Sequence, residues 1–113
     1  MFGRKKSTVT NGDRLLVLEL TTGADYTPYE VAQQFGDPER AREAVVELID
    51  KRRVELAVQH PDRNRELLSV AAAHDLLMKP AIWRAHVEGR DKFLLHATDL
   101  GWQWHQKHWK PSR

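Results

Sequence analysis

His60-Pro61-Asp62-Arg63-Asn64 is the stretch that decides the predicted fold, because it separates two segments with a helical pattern. The segment before it begins near residue 38 and repeats apolar residues at the spacing of one helix face. Pro61 ends this segment, since proline disfavours helical angles at the residue before it. A second long helix, the third helix in chain order, is predicted over about 63–78. The sequence therefore predicts two long helices with this pentapeptide between them.

The N-terminal part predicts one short β-strand. Residues 14–21 form an apolar run of strand length, with Asn11-Gly12 before it and Thr22-Gly23 after it as turn signals. A strand leaves backbone groups that need hydrogen-bond partners. We expect this strand to pair with another chain, to meet a short C-terminal strand, or to lie extended against the helices.

Further helices are indicated by their capping signals. A short helix is predicted to open at Thr27-Pro28 and to end at Gly36, and the long helix opens at Asp37-Pro38 in the same way. A fourth helix is predicted from Pro80 to a break at residue 89, and a short one around 91–98. The last residues, 101–113, are rich in tryptophan and histidine without a long periodicity.

Composition and charge narrow the function classes. The chain has 113 residues, 41% hydrophobic and 30% charged, and no cysteine, which excludes disulfides and thiolate metal sites. No apolar run has the length of a membrane span, so no membrane partner is expected and a cytoplasmic location is predicted. Residues 1–14 carry a net charge of +3 and residues 101–113 also +3, so residues 15–100 carry −4 of the total of +2. Basic ends of this kind suit an acidic protein surface, phosphate groups or simple solvation.

Residues 25–90 resemble a J domain, the module with which co-chaperones recruit Hsp70-type ATPases. The segment 26–31 is similar to the opening helix of that family, His60-Pro61-Asp62 matches its signature tripeptide, and residues 73–80 are similar to the segment that joins its third and fourth helices. The resemblance implies a mainly α fold in which two helices form an antiparallel hairpin flanked by short helices. With the predicted N-terminal strand, it divides the chain into a basic arm and strand (1–24), a J-domain-like helical domain (25–90), and a short helix with a Trp/His-rich basic tail (91–113).

The resemblance also implies a function and a set of binding residues. The chain would recruit an Hsp70-type ATPase and stimulate its ATP hydrolysis without being an enzyme itself. The expected partner-binding residues are those of the loop and of a basic cluster on the preceding helix: His60, Pro61, Asp62, Arg63, Asn64, Lys51, Arg52 and Arg53. The alternative is a J-like scaffold that serves as a structural or adaptor subunit of a larger assembly, for example a viral or phage particle, without Hsp70 activity.

The tryptophans of the tail are a second candidate surface. Trp102, Trp104 and Trp109 could anchor a partner protein or pack on the helices, since tryptophan is enriched at interface hot spots. Beside basic residues they could also stack nucleobases, which makes nucleic acid a weaker alternative. The spacing of His105 and His108 suits two metal ligands, but the tail offers no further ligand, so neither a metal nor a cofactor is expected. No nucleophile with a base and no glycine-rich phosphate loop stands out.

Overall fold

The computed structural model describes residues 9–61, 64–84 and 92–109. In chain order these residues form α1 (Asn11–Gly23), α2 (Pro28–Phe35), α3 (Pro38–Asp50), β1 (Val54–Gln59), β2 (Glu66–Leu67), α4 (Val70–Leu77), α5 (Ala81–Arg84), β3 (Lys92–Ala97) and α6 (Asp99–His108). The expectation of a mainly helical fold is confirmed. The described residues also contain a small three-stranded antiparallel sheet.

The predicted strand over 14–21 is wrong, because these residues lie inside α1. Val17, Leu18 and Thr21 are the fully buried residues of this run, and their spacing is that of one helix face rather than the alternation of a strand. Asn11-Gly12 forms the first turn of α1 instead of a turn before a strand. Thr10 starts the helix: its Oγ1 accepts from the Asp13 backbone N–H at 3.1 Å, and the Asp13 carboxylate accepts from the Thr10 N–H at 3.3 Å.

The predictions for α2 and for the start of α3 are confirmed. Thr27 caps α2, Pro28 stands in its first turn, and Gly36 ends it with a positive φ of 73°. Asp37 then caps α3 by accepting from the backbone N–H groups of residues 39 and 40. Each signal acts between residues close in sequence, and α2 and α3 consequently form two helices joined by a two-residue turn.

The long helix predicted up to residue 59 ends at Asp50, and residues 54–59 form β1 instead. Arg52 adopts a positive φ of 62°, which takes the chain out of the helix. β1 then pairs antiparallel with β3 over six residues, from Val54↔Ala97 to Gln59↔Lys92. β1 is the central strand in the order β2-β1-β3, so backbone pairing on both sides replaces the predicted helix.

Two further predicted helices are corrected in the same region. Residues 66–67 form β2, and the following helix, α4, begins only at Val70 with Ser69 as its N-cap. The short helix expected around 91–98 is the strand β3 over its described residues. The fourth predicted helix is present as α5 at 81–84, and the rest of that prediction, to residue 89, lies outside the described residues. The antiparallel helical hairpin implied by the resemblance is therefore a β1–β2 hairpin.

The core lies between the helices and one face of the sheet. Leu56 and Leu95 are cross-strand partners on that face, and both are fully buried. Leu48 of α3, Leu18 of α1 and Trp83 of α5 are buried in the same cluster. The N-terminal helix and the C-terminal helix both pack on this core, since α1 contacts α3 and α6.

Candidate interaction surfaces

The predicted Hsp70-recruiting loop lies in the connection between β1 and β2. Pro61 and Asn64 are exposed there, and the His60 ring lies 3.2 Å from Glu66 Oε1 (Nε2 to Oε1). Asp62 and Arg63, which complete the predicted loop, lie outside the described residues. Two strands flank this connection, so the loop does not stand at the end of a helical hairpin.

The predicted basic cluster, Lys51, Arg52 and Arg53, forms the turn between α3 and β1 instead of a helix face. The six residues of β1 separate this turn from His60, a span of roughly 20 Å at the rise of a strand. The structure therefore does not bring the basic cluster and the loop together. The resemblance implies that both sets of residues bind the same partner surface, whereas the structure places them at opposite ends of β1.

The basic turn is instead joined to α6. Thr98 caps α6 by accepting from the Gly101 N–H at 3.1 Å, and its hydroxyl donates to the Arg52 carbonyl at 2.7 Å. The Thr98 backbone N–H donates to the Arg53 carbonyl at 3.0 Å. Gly101 is buried against the same carbonyl group. Two hydrogen bonds from Thr98 and one close packing contact of Gly101 thus hold the start of α6 on the turn.

One flank of α6 and the basic turn line a shallow groove of about 270 Å³. Leu100, Gln103, Trp104 and Lys107 follow each other at helical spacing and form one wall. Lys51 and Arg53 form the other wall, and the Arg53 guanidinium lies 5.4 Å from the centroid of the Trp104 ring. We call this groove, lined by 51, 53, 100, 103, 104 and 107, the basic groove.

The other flank of α6 carries a row of stacked rings. Trp102 and His105 are nearly parallel with centroids 5.4 Å apart, and His105 and Trp109 follow at 6.3 Å. Trp102 is 44% exposed and Trp109 48%, while His105 is buried and neither of its ring nitrogens has a hydrogen-bond partner. We call Trp102, His105 and Trp109 the aromatic row. The predicted tryptophan surface is thus on two flanks: Trp102 and Trp109 in the row, Trp104 in the groove.

α2 and α3 form a helix-turn-helix, a motif that in DNA-binding proteins places its second helix in the major groove. The exposed residues of α3 here are Glu39, Arg40, Glu43 and Asp50. Arg40 binds Asp13 through two hydrogen bonds, so its charge is already matched. Asp50 is 3.0 Å from His74 of α4, which packs on α3. An acidic, partly covered helix is a poor surface for a phosphate backbone.

Two ion pairs fix α1 on α3. Arg40 donates two hydrogen bonds to Asp13, the shorter at 2.7 Å. Arg14 donates from Nε and Nη2 to the two carboxylate oxygens of Glu47. Burial raises the pKa of the Asp13 carboxyl, but hydrogen bonds from Arg40 and from the Thr10 backbone outweigh it, and this pKa lies below its ordinary value. The hydrogen bond from Arg14 lowers the pKa of Glu47. Both carboxylates are therefore structural partners.

A larger, mostly apolar groove of about 980 Å³ lies between the end of α3, β1 and the β2–α4 segment. Leu67, which is 59% exposed, forms part of its rim. Within the described ranges, no cluster of three or more His, Asp or Glu side chains suits a metal ion. In the same part of the chain, no helix combines the length and apolar character needed to cross a bilayer.

Comparisons with known proteins place no relative beside this chain. No protein-family model, no curated protein and no solved structure matches it.

The sequence predicts three of the residues that line the basic groove, Lys51, Arg53 and Trp104, but not their arrangement or the other lining residues. The basic turn and the tryptophans were both predicted as interaction residues, while the groove joins Arg53 to Trp104 across about fifty positions. A signal was present in the tail, because 100, 103, 104 and 107 follow a helical spacing. Only the observation that α6 is a helix docked on the turn shows that these positions face Lys51 and Arg53.

Proposed function

We propose that this chain is a small protein-interaction subunit that binds a partner protein through α6 within a larger assembly. The observation that carries the proposal is the exposure of Trp102 and Trp109 in one row on a helix whose start is held in place by Thr98 and Gly101. Large apolar side chains grouped on a fixed element are typical of interaction sites. The role requires no catalysis and no cofactor.

The two tryptophans of the aromatic row offer apolar area that a partner protein can cover. An aromatic side chain buries about 150–250 Å² in a core or interface, and these two are 44% and 48% exposed. At about 25 cal/mol per Å², covering the remaining area stabilises a complex by roughly 2 kcal/mol for each ring. A rigid helix also loses little conformational entropy on binding. These residues have the character of binding hot spots.

Charge adds a partner preference. The basic groove lies on the flank of α6 opposite the aromatic row, and its lining contains three cationic side chains and no carboxylate. A partner whose surface combines apolar and acidic groups would be complementary to both flanks. The exposed side of α3, by contrast, is acidic and would repel a phosphate backbone, so nucleic-acid binding by the helix-turn-helix is disfavoured. We also propose that the chain acts in the cytoplasm.

The test is affinity enrichment from nuclease-treated lysate of the organism that encodes the chain, followed by a binding measurement with the purified candidate. The unmodified chain is compared with a Trp102→Ala/Trp109→Ala variant and with Met78→Ala, which truncates an exposed apolar residue at the end of α4. We expect the tryptophan variant to weaken binding of the purified partner at least about tenfold. Equal affinity for all three chains would overturn the proposal.

A second proposal is the one that the J-domain resemblance implies: the connection after β1 recruits an Hsp70-type ATPase. The exposure of Pro61 in that connection supports it. The flanking strands, and the distance of Lys51 to Arg53 from the loop, weigh against it. The test is the ATP turnover of an Hsp70 from the natural host with the unmodified chain and with His60→Gln. If the unmodified chain does not stimulate the ATP turnover of the Hsp70, this second proposal is overturned.

A further inference from the structure

The basic groove is lined by Lys51, Arg53 and Lys107 together with Leu100, Gln103 and Trp104. Lys51 and Arg53 belong to the turn after α3 and Lys107 belongs to α6, and the docking of α6 on the turn brings the three cations together. Cationic groups that converge on one concave surface attract anions more strongly than the same groups spread over a convex one, because low-dielectric walls focus their field. The groove is therefore suited to accommodate an anionic group.

Glu47 is an acidic side chain whose charge acts on two of these cations, and it is already bound by Arg14. Lys51 and Arg53 both contribute to lowering the pKa of Glu47, but less than the hydrogen bond from Arg14, which holds the Glu47 carboxylate. No carboxylate lines the groove itself. Its positive charge consequently remains available to a binding partner.

The groove is preorganised. The Arg53 backbone N–H donates to the Leu48 carbonyl at 2.9 Å, and its carbonyl accepts from Thr98. The Arg53 guanidinium lies over the Trp104 ring, which restricts a side chain that would otherwise be free to rotate. Rigid donors lose less entropy when they bind than mobile ones do.

We propose that the basic groove binds carboxylate side chains of an acidic segment in the partner protein. This inference rests on the proposed function, because it names the chemistry of the partner that α6 docks. The aromatic row takes apolar residues of that partner on one flank of α6, and Lys51, Arg53 and Lys107 take aspartate or glutamate side chains on the opposite flank. Gln103 adds a neutral hydrogen-bonding group to the same wall.

The groove favours a carboxylate over a nucleotide. Single-stranded nucleic acids bind to grooves in which bases stack on open aromatic faces. The Trp104 ring is already stacked on His108, with centroids 4.1 Å apart, and also contacts the Arg53 guanidinium. The volume of about 270 Å³ lies below the range typical of small-molecule pockets. One or two acidic side chains match both properties.

The experiment measures binding of a fluorescein-labelled oligoglutamate peptide by fluorescence anisotropy, with oligolysine and oligothymidine as comparison probes. The unmodified chain is compared with a Lys51→Glu/Lys107→Glu variant. The matched control is Lys79→Glu/Lys92→Glu, which reverses two exposed lysines outside the groove and changes the net charge by the same amount. We expect the groove variant, Lys51→Glu/Lys107→Glu, to bind oligoglutamate at least about tenfold more weakly and the control variant to stay within about twofold. Binding should also weaken as salt is raised.

Three outcomes would overturn the proposal. The first is absence of oligoglutamate binding, and the second is an equal loss in Lys79→Glu/Lys92→Glu, which would show a response to net charge alone. The third is tighter binding of oligothymidine that is lost in Lys51→Glu/Lys107→Glu, which would make the groove a nucleic-acid site. A Lys51→Gln/Lys107→Gln variant repeats the test if charge reversal lowers the thermal stability.

The two proposals can fail separately. Trp102→Ala/Trp109→Ala leaves the groove intact, so it should bind oligoglutamate with unchanged affinity. If the peptide fails to bind while the tryptophans remain necessary for the partner, the acidic-segment inference alone is lost. If the peptide binds but the tryptophans are dispensable for every partner, docking through α6 is lost and the groove remains.

Discussion

A Cβ atom on residue 101 would stand 2.0 Å from the backbone oxygen of Arg53, so Gly101 permits α6 to lie directly on the turn that follows α3. The same Cβ would also stand 2.8 Å from a methyl group of Leu18 in α1. One glycine therefore sets the distance between α6, the basic turn and α1. Both candidate surfaces on α6 depend on this contact, because it positions the helix that carries them.

Gly101→Ala should lower the free energy of unfolding by about 1–3 kcal/mol, the usual cost of overpacking, because the carbonyl it meets is backbone and cannot rotate away. Chemical denaturation measures this change. The control is Gly23→Ala at the end of α1, where a Cβ would meet nothing within 4 Å. Equal stability of the two variants would show that α6 does not pack as closely as described. Gly101→Ala should also weaken oligoglutamate binding.

Acid should destabilise the fold through the Asp13–Arg40 and Arg14–Glu47 pairs. The pKa values of Asp13 and Glu47 lie below their ordinary values in the folded chain, so each carboxylate contributes stability that is fully present above its unfolded pKa of about 4. That contribution is lost as the pH falls through the lower, folded pKa. Urea unfolding at a series of pH values should show the decline, and Asp13→Asn should reduce it.

The control for this pH dependence is Asp75→Asn, which changes an exposed carboxylate on α4. Its acid-induced loss of stability should match that of the unmodified chain. Asp13→Asn should in addition lower stability near neutral pH by about 1–2 kcal/mol, because asparagine keeps one of the two acceptor oxygens that Arg40 and Thr10 use and lacks the negative charge. An acid response that is identical in all three chains would contradict the assignment.

The parts of the fold that local chemistry determines were predictable. α2 was predicted with its cap and its end, since Thr27, Pro28 and Gly36 act on backbone groups within a few residues of themselves. The mainly helical class followed from the same signals. Part of the interaction surfaces was predictable as well, namely the basic residues of the turn and the tryptophans of the tail.

The parts that long-range pairing determines were not predictable in the same way. Residues 54–59 continue an apolar pattern that a helix could use, and they form a strand because β3, more than thirty residues later, pairs with them. Residues 14–21 show the opposite error: a leucine-rich run suits a strand or a helix, and burial of Val17 and Leu18 together decides for the helix. The position of the loop at 60–64 changed with these two elements.

Trp83 should report on the core because its indole is buried and bonded. Its Nε1–H donates to the Leu77 carbonyl at 2.7 Å, a group at the end of α4 that has no partner within the helix. Trp83→Phe should lower the free energy of unfolding by about 1–3 kcal/mol and remove the fluorescence least accessible to iodide. Trp102→Phe, at an exposed site, should leave stability nearly unchanged. Equal effects of the two substitutions would contradict the buried position of Trp83.

Arg52 is the position where the backbone itself can be tested. Its φ of 62° is a left-handed conformation that costs a residue with a side chain about 1–2 kcal/mol, and glycine avoids that cost but loses more entropy on folding. Arg52→Gly should therefore raise the free energy of unfolding slightly, by up to about 1 kcal/mol, measured by chemical denaturation. Lys51→Gly, at an ordinary φ of −90°, should instead lower it. Because Arg52 does not line the basic groove, Arg52→Gly should keep its affinity for oligoglutamate. A loss of stability as large as that of Lys51→Gly would mean that the turn between α3 and β1 does not require the left-handed conformation.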